Sequence, residues 1–424
     1  MAAMPTIVRN AVFPVAMKTL LTWEHLESGV SYNPISRETI QDPYPVYDRL
    51  REKDPVHRLR LSNAWILTRY EDVDRVMRDH SQFSRDDPNE VPFARGDEYR
   101  SMLRMDPPDH TRIRSLVSKA FTPRAVADLA QTIKAIVDDH LDRVAGKRQF
   151  DLVKELARPL PLFSTGALLG LPAGDVDRFG HWSTEGANAF IPHLSEEEKR
   201  RIRNASEEAF QYTERQIELR QREPQDDIIT ALIEAEEAGD RLTREELVTT
   251  LSLLMVVGND MSKNLIGNGM LALLKNPDQL ETLRRNPEMT DSAIHELLRY
   301  DSPIQLGARF APADTEIDGR RIRAGQTVIC GIGAANRDPS VFADPQVLDI
   351  SREQRSHISF GRGVHHCLGA PLVMLQARIA FTSLIERFPD ITLAREPKYR
   401  ERHVIQRGLE ELWVDVGHRS RRGA

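Results

Sequence analysis

The segment Phe360, Gly361, Arg362, Gly363, Val364, His365, His366, Cys367, Leu368, Gly369, Ala370 delivers one cysteine to the mouth of an apolar run that continues through Leu372, Leu375, Ile379 and Phe388. A thiol at a helix N-terminus is expected to lose its proton more readily, because unpaired amides and the helix dipole favour a thiolate. A thiolate is a nucleophile and a soft metal ligand. The glycines at 361, 363 and 369 let the backbone curl and approach a flat ligand, and Phe360 is placed to cover the open side of the sulfur. Two plainer readings compete, an inert buried thiol and a zinc site. Against zinc, three adjacent side chains at His365, His366 and Cys367 do not converge on one tetrahedral ion, and Cys330, the only other cysteine, has no CxxC partner.

Three helical patterns surround this loop. Thr243 and Glu246 form a capping-box signature that opens an apolar run ending at Lys275-Asn276-Pro277. At about 1.5 Å per residue the predicted helix is on the order of 48 Å long. Halfway along it stand Val257, Gly258, Asn259, Asp260, Met261 and Ser262, poor company for a buried helix centre. After Asp106-Pro107-Pro108-Asp109 a helix puts His110 and Arg114 four apart on one face, two donors suited to an anion. In Ile294 to Arg299, Glu296 and Arg299 stand three apart and can pair. Earlier, helices are expected around 46–52 and 73–79, a strand around 64–68, and a polar loop over 84–99. Amphipathic helices fill 151–236.

The cysteine segment resembles the haem-binding loop of the cytochrome P450 family over eleven positions. The resemblance runs from about Asp42 to Trp413 and implies a mainly α fold with small β-sheets, a single large triangular helical domain around a buried haem b. It implies that Cys367 ligates the iron under Phe360, and that His110, Arg114, Arg309 and His365 hold the haem propionates, four donors for two carboxylates. Glu296 and Arg299 resemble the family's buried structural pair, with Val347 where a later partner arginine is usual and Arg337 as its expected replacement. Gly258 would open a groove for dioxygen, and Asp260 would relay protons. Val91, Phe93, Val257, Ile304, Gln305, Leu306, Ile405 and Gln406 become substrate-side candidates, with Phe190 and Ile191 as further pocket residues.

One position departs from the family pattern. Met261 stands where a threonine is usual, and a thioether donates no proton. Ser262 lies about 100° further round the helix and does not simply replace it. A substrate hydroxyl or water, a reorganised Asn259 or Ser262, or different chemistry each remain open. The resemblance implies a monooxygenase that hydroxylates or otherwise oxidises a small hydrophobic substrate with dioxygen and separate redox partners, ferredoxin and ferredoxin reductase. Arg112 and Arg362 are expected on the docking face for such a partner. The alternatives are a peroxide-driven or atypical P450, or a non-catalytic haem-thiolate sensor.

Composition agrees with a chain that buries a cofactor. The 424 residues carry a net charge of -6 with interspersed signs, which argues against nucleic acid, and two cysteines exclude a disulfide scaffold. No low-complexity linker divides the chain, so the expected organisation is an arm over 1–30, one domain over 31–416 and a basic tail over 417–424. The apolar stretch at 11–21 holds Pro14 and Lys18 and is too short to span a bilayer, so no transmembrane anchor and a cytoplasmic location are expected.

Overall fold

The computed structural model describes residues 6–87, 100–237 and 239–417, and helices dominate them. Caps set where the long helices begin. Ser195 and Glu198 close a capping box at the start of Glu196–Arg222, and Thr243 and Glu246 close one at Arg244–Val257. Each box satisfies two amides that the first helical turn would leave unpaired.

The predicted single helix from 244 to 275 is two helices, Arg244–Val257 and Asn259–Lys275, interrupted at Gly258. Gly258 and Asn259 are weak helix formers, and the Asn259 side-chain amide donates to the Met255 carbonyl, drawing a backbone acceptor away from the ladder. The second helix is almost wholly buried and packs against Thr290–Tyr300 and Ala370–Arg387. Gly269 permits the three to meet, since a Cβ there would stand 2.7 Å from the Phe381 ring and 3.1 Å from Leu297. Leu265, Ile266, Met270, Phe381 and Leu384 are buried at this junction. Each contributes about 1.5–3 kcal/mol of apolar burial.

A four-stranded sheet supplies the other wall. Its order is Val56–Leu59, Ala64–Leu67, Thr327–Gly331, Leu306–Phe310; the middle pair is parallel and the outer pairs antiparallel, with Arg309 opposite Val328. The strand at 64–67 and the helix Tyr70–Arg78 fall close to their predicted places. A three-stranded sheet joins Thr392–Leu393 and Gln149–Asp151 through Trp413–Asp415. The helix Thr6–Ser28, at the expected arm, is tied to the first sheet by Glu24, whose carboxylate accepts from the Arg60 amide at 2.7 Å. Among the described residues no helix is long and apolar enough to cross a membrane. Val91, Phe93 and residues 418–424 of the expected tail lie outside the described residues.

Candidate functional site

The cysteine loop is a folded turn. The Cys367 amide donates to the Phe360 carbonyl at 2.8 Å, and the Gly361 amide to Ile358 at 2.9 Å. Gly361 and Gly363 take φ of +75° and +67°, a region that disfavours any side chain. A Cβ on Gly363 would also stand 3.0 Å from the Met77 carbonyl, so the loop seats directly on the end of Tyr70–Arg78. The Cys367 sulfur faces the amides of Gly369 and Ala370, and the helix proper starts at Ala370. Burial pushes this thiol up, and the two amides with Arg114 only partly oppose it. The expected easy loss of its proton is therefore corrected: desolvation outweighs the helix terminus in the protein alone. Phe360 is buried, with its ring 5.9 Å from His357 and 6.3 Å from His366.

Three distant segments bring basic groups to this loop. His110 and His365 pack as tilted rings with centroids 4.3 Å apart, and His110 Nδ1 and His365 Nε2 are buried without a hydrogen-bond partner. Burial first, then the neighbouring His110, Arg309, Arg85 and Arg114, pushes the His365 imidazole down to about 2. Arg309 is buried and donates to the carbonyls of Ala308 at 2.9 Å and Met77 at 3.5 Å; burial pushes its guanidinium down to about 10. Arg114 donates to the His366 carbonyl at 2.7 Å. Arg85, which no motif announced, joins the cluster by donating to Leu103 and Ala308 carbonyls. Asp106 is the carboxylate beside them, held by Ser84 and the Arg85 amide. The buried Arg309, the half-buried Arg85 and Arg114 and the two orphaned ring nitrogens fit a flat ligand with two carboxylates beside a metal-ligating sulfur.

Around Gly258 the polar side chains turn outward from one another. Asn259 accepts from Thr165 at 3.1 Å and donates to Met255, while the buried Ser262 hydroxyl donates to Gln376 on the cysteine-loop helix. Both were catalytic candidates, and both have their polar groups spent on neighbouring helices. Asp260 is buried and pairs with Lys263 and, at 3.3 Å, with Arg400. Burial would raise its carboxyl, but the two cations prevail and hold it below the usual carboxylate range. Val257 and Met261, one turn apart, share a face; Val257 is left exposed and Met261 half-buried.

The sheet-side candidates divide. Ile304 bridges Gln406, and the Gln305 amide donates to the Ile405 carbonyl at 2.8 Å, so the last hairpin does lie beside residues 304–306. Leu306, however, is buried in the cluster of Tyr32, Tyr44, Tyr47 and Leu50 and does not line the site. The Gln305 side-chain nitrogen donates to Ser302 and Tyr44, and its oxygen lies against Gly333, which corrects its assignment as a substrate anchor. Leu306 reaches the N-terminal core through its strand face, and Gln305, just before the strand, is held there separately by its bonds to Tyr44 and Ser302. Phe190 and Ile191 follow the helix Val176–Asn188 and are half-buried.

Glu296 and Arg299 form a doubly hydrogen-bonded buried pair, both bonds 2.7 Å, and Arg299 also donates to the carbonyls of Asn336, Pro345 and Val347. Its third member is Arg352, 3.2 Å from Glu296, and not Arg337. Arg337 instead lies between the rings of Tyr44 and Tyr300, 3.5 and 4.1 Å from their centroids. Of the two expected docking cations, Arg112 pairs with Glu246 and Asp240, and Arg362 with Asp74 at 3.1 Å, so each is partly neutralised within the chain.

Fold and site together define a helical cofactor-binding protein whose loop cysteine and buried donors suit a metalloporphyrin. Comparison with known proteins agrees. The family model for Cytochrome P450 matches residues 186–401. Cytochrome P450 107B1 of Saccharopolyspora erythraea is 42% identical over 395 residues, covering 89% of this chain and 96% of that protein. The solved structure of the bacillaene polyketide synthase cytochrome P450 PksS of Bacillus subtilis has TM-score 0.85 at 38% identity, covering 91% of this chain and all of that one, 100%. The structure of P450BioI with an acyl carrier protein bearing hexadec-9Z-enoic acid has TM-score 0.83 at 36% identity, covering 89% and 99%. The chain belongs to the cytochrome P450 family: it is an oxidoreductase of the haem monooxygenase type, and its cofactor is haem b.

Proposed function

We propose that this P450 hydroxylates a small hydrophobic substrate, taking electrons from a ferredoxin and its reductase in the cytoplasm, through one catalytic domain over 31–416. The observation that carries the reading is the convergence of the Cys367 sulfur with the orphaned ring nitrogens of His110 and His365. Bound haem supplies reductive activation of dioxygen and insertion of one oxygen atom into a C–H bond. Cys367 is the iron ligand, and His110, Arg114, Arg309 and His365, joined by Arg85, hold the propionates. Val257, Met261 and Ile304 give the substrate side an apolar wall that orients the substrate and excludes water. Gly258 leaves the local opening for dioxygen, and Asp260 stays ionised between Lys263 and Arg400. Met261 favours a second reading, turnover driven by hydrogen peroxide without a hydroxyl relay.

The Cys367→Ser holoprotein is expected to lose the red-shifted Soret band of its carbon monoxide complex that marks thiolate ligation. A retained band would overturn the assignment. Product formed with ferredoxin, reductase and NAD(P)H supports the electron route, and product formed only with peroxide supports the second reading.

A further inference from the structure

Strand alternation in Val56–Leu59 sends His57 and Leu59 inward and leaves Arg58 on the outer face, which Arg60 continues just past the strand. The strand is an edge of the four-stranded sheet, and two arginine–tryptophan stacks cover its outer face. The Arg58 guanidinium lies 4.9 Å from the ring centre of Trp65, its cross-strand partner. That of Arg60 lies 4.0 Å from Trp23 on the helix Thr6–Ser28. Leu26 stands three residues beyond Trp23, on the same helix face. Trp23 is 54% exposed and Leu26 79%. Single exposed apolar side chains mean little. Here two adjoin, and positive charge borders them.

The arginines differ in what neutralises them. Arg60 pairs with Glu27. Arg58 donates to the side-chain carbonyl of Asn63, and its second terminal nitrogen is buried without a partner. Arg60 and Arg323 together set a positive field at Arg58, which Glu27 opposes less strongly. Arg320 and Arg321, on the neighbouring hairpin, pair with Asp54 and Asp314. Over Thr6–Trp23 the helix sequence holds two charged residues, Arg9 and Lys18, both basic.

Tryptophan and leucine beside arginine suit a boundary between water and lipid. The indole and the aliphatic chain enter the apolar edge, and the guanidinium groups stay with the phosphates. We propose that this face docks the protein on an anionic lipid surface through Trp23 and Leu26 together with Arg58, Arg60 and Arg323. The contact is peripheral, since no described helix is long and apolar enough to cross a membrane. Nucleic acid or an acidic protein would use the arginines, but neither rewards an exposed Leu26, and the chain's net charge of -6 disfavours a polyanion.

The test is flotation of the haem-loaded full chain with vesicles of phosphatidylcholine alone and of phosphatidylcholine mixed equally with phosphatidylglycerol. Partition into the mixed vesicles is expected to exceed that into the neutral ones about tenfold or more, and to weaken as salt rises. Arg58→Gln combined with Arg323→Gln is expected to remove most of that preference. Arg323→Gln alone, at an exposed position, removes part of it and serves if the Arg58 change disturbs the sheet. Leu26→Ser is expected to lower partition into the mixed vesicles severalfold, with the haem spectrum and Tm unchanged. Poly-glutamate and duplex DNA are expected to bind far more weakly than the mixed vesicles at the same salt. Equal partition into the two vesicle types, partition unchanged by Leu26→Ser, or binding of either soluble polyanion as tight as that of the vesicles would each overturn the proposal.

Discussion

At the scale of one residue, Met261 is the position on which the proposed oxygen chemistry turns. It shares its helix face with Val257, while the neighbouring polar groups of Asn259, Asp260 and Ser262 are engaged elsewhere. On the proposed mechanism, proton delivery then falls to water or to the substrate, and uncoupling is expected. Met261→Thr is expected to raise product formed per NAD(P)H severalfold and to lower hydrogen peroxide release correspondingly, both measured in the reconstituted reaction. An unchanged ratio with the native substrate would show that another group already supplies the proton. The motif and its departure were legible in the sequence. The commitments of its neighbours were not, because Thr165, Gln376 and Arg400 approach from about a hundred residues away or more.

Between elements, two buried ionic networks hold the frame. Arg299 joins Glu296 to three carbonyls of the segment leading to the cysteine loop, so Arg299→Ala leaves a buried carboxylate without its main partner. A loss of about 3–5 kcal/mol and a fall in haem content are expected, measured by denaturant unfolding and the haem-to-protein ratio. Arg352→Ala, which removes one 3.2 Å contact at the edge of the pair, is expected to cost clearly less. The second network joins His57 to Asp54 at 2.9 Å and to Glu24, on the helix Thr6–Ser28, at 3.5 Å. Burial alone would lower the His57 imidazole, but the two carboxylates outweigh it and hold it above 6.5. A raised histidine contributes stability that is fully present below its unfolded value, about 6.5, and is lost as pH rises through the folded one. The wild type should therefore exceed His57→Gln in Tm by more at pH 6 than at pH 9. A difference independent of pH would place the contribution in packing rather than charge.

For the whole molecule, the decisive feature is a basic cluster assembled around the cysteine loop from the segment after Tyr70–Arg78, the helix Asp109–Ala120, the strand Leu306–Phe310 and the loop itself. The buried guanidinium of Arg309 lies beside Arg85, with Asp106 as the nearby carboxylate, and a bound dicarboxylate would further offset that positive charge. Haem binding should raise Tm, as any ligand selective for the native state does. Haem dimethyl ester, which keeps the ring and iron but loses both charges, is expected to transfer to a haem scavenger with an affinity loss of about a hundredfold or more. Equal retention of the two haems would assign the binding energy to the apolar pocket and the iron–sulfur bond.

Cys367, His110, Arg114, Glu296 and Arg299 stood out in the sequence because each lies in a short pattern of one loop or one helix face that resembles a family motif. Spacing of that kind is a property of the chain itself. Residues 84–85, 352 and 400 carry no such local pattern; Arg85, Arg352 and Arg400 acquire their places only when distant segments pack. The same holds for the corrections. Leu306 turns into the core because pairing with Thr327–Gly331 fixes the strand's faces, Gln305 is held just before the strand by Ser302 and Tyr44, and burial raises the Cys367 thiol although it precedes a helix. Local periodicity determined which residues share a face, and long-range packing decided what each face meets and how much water it keeps.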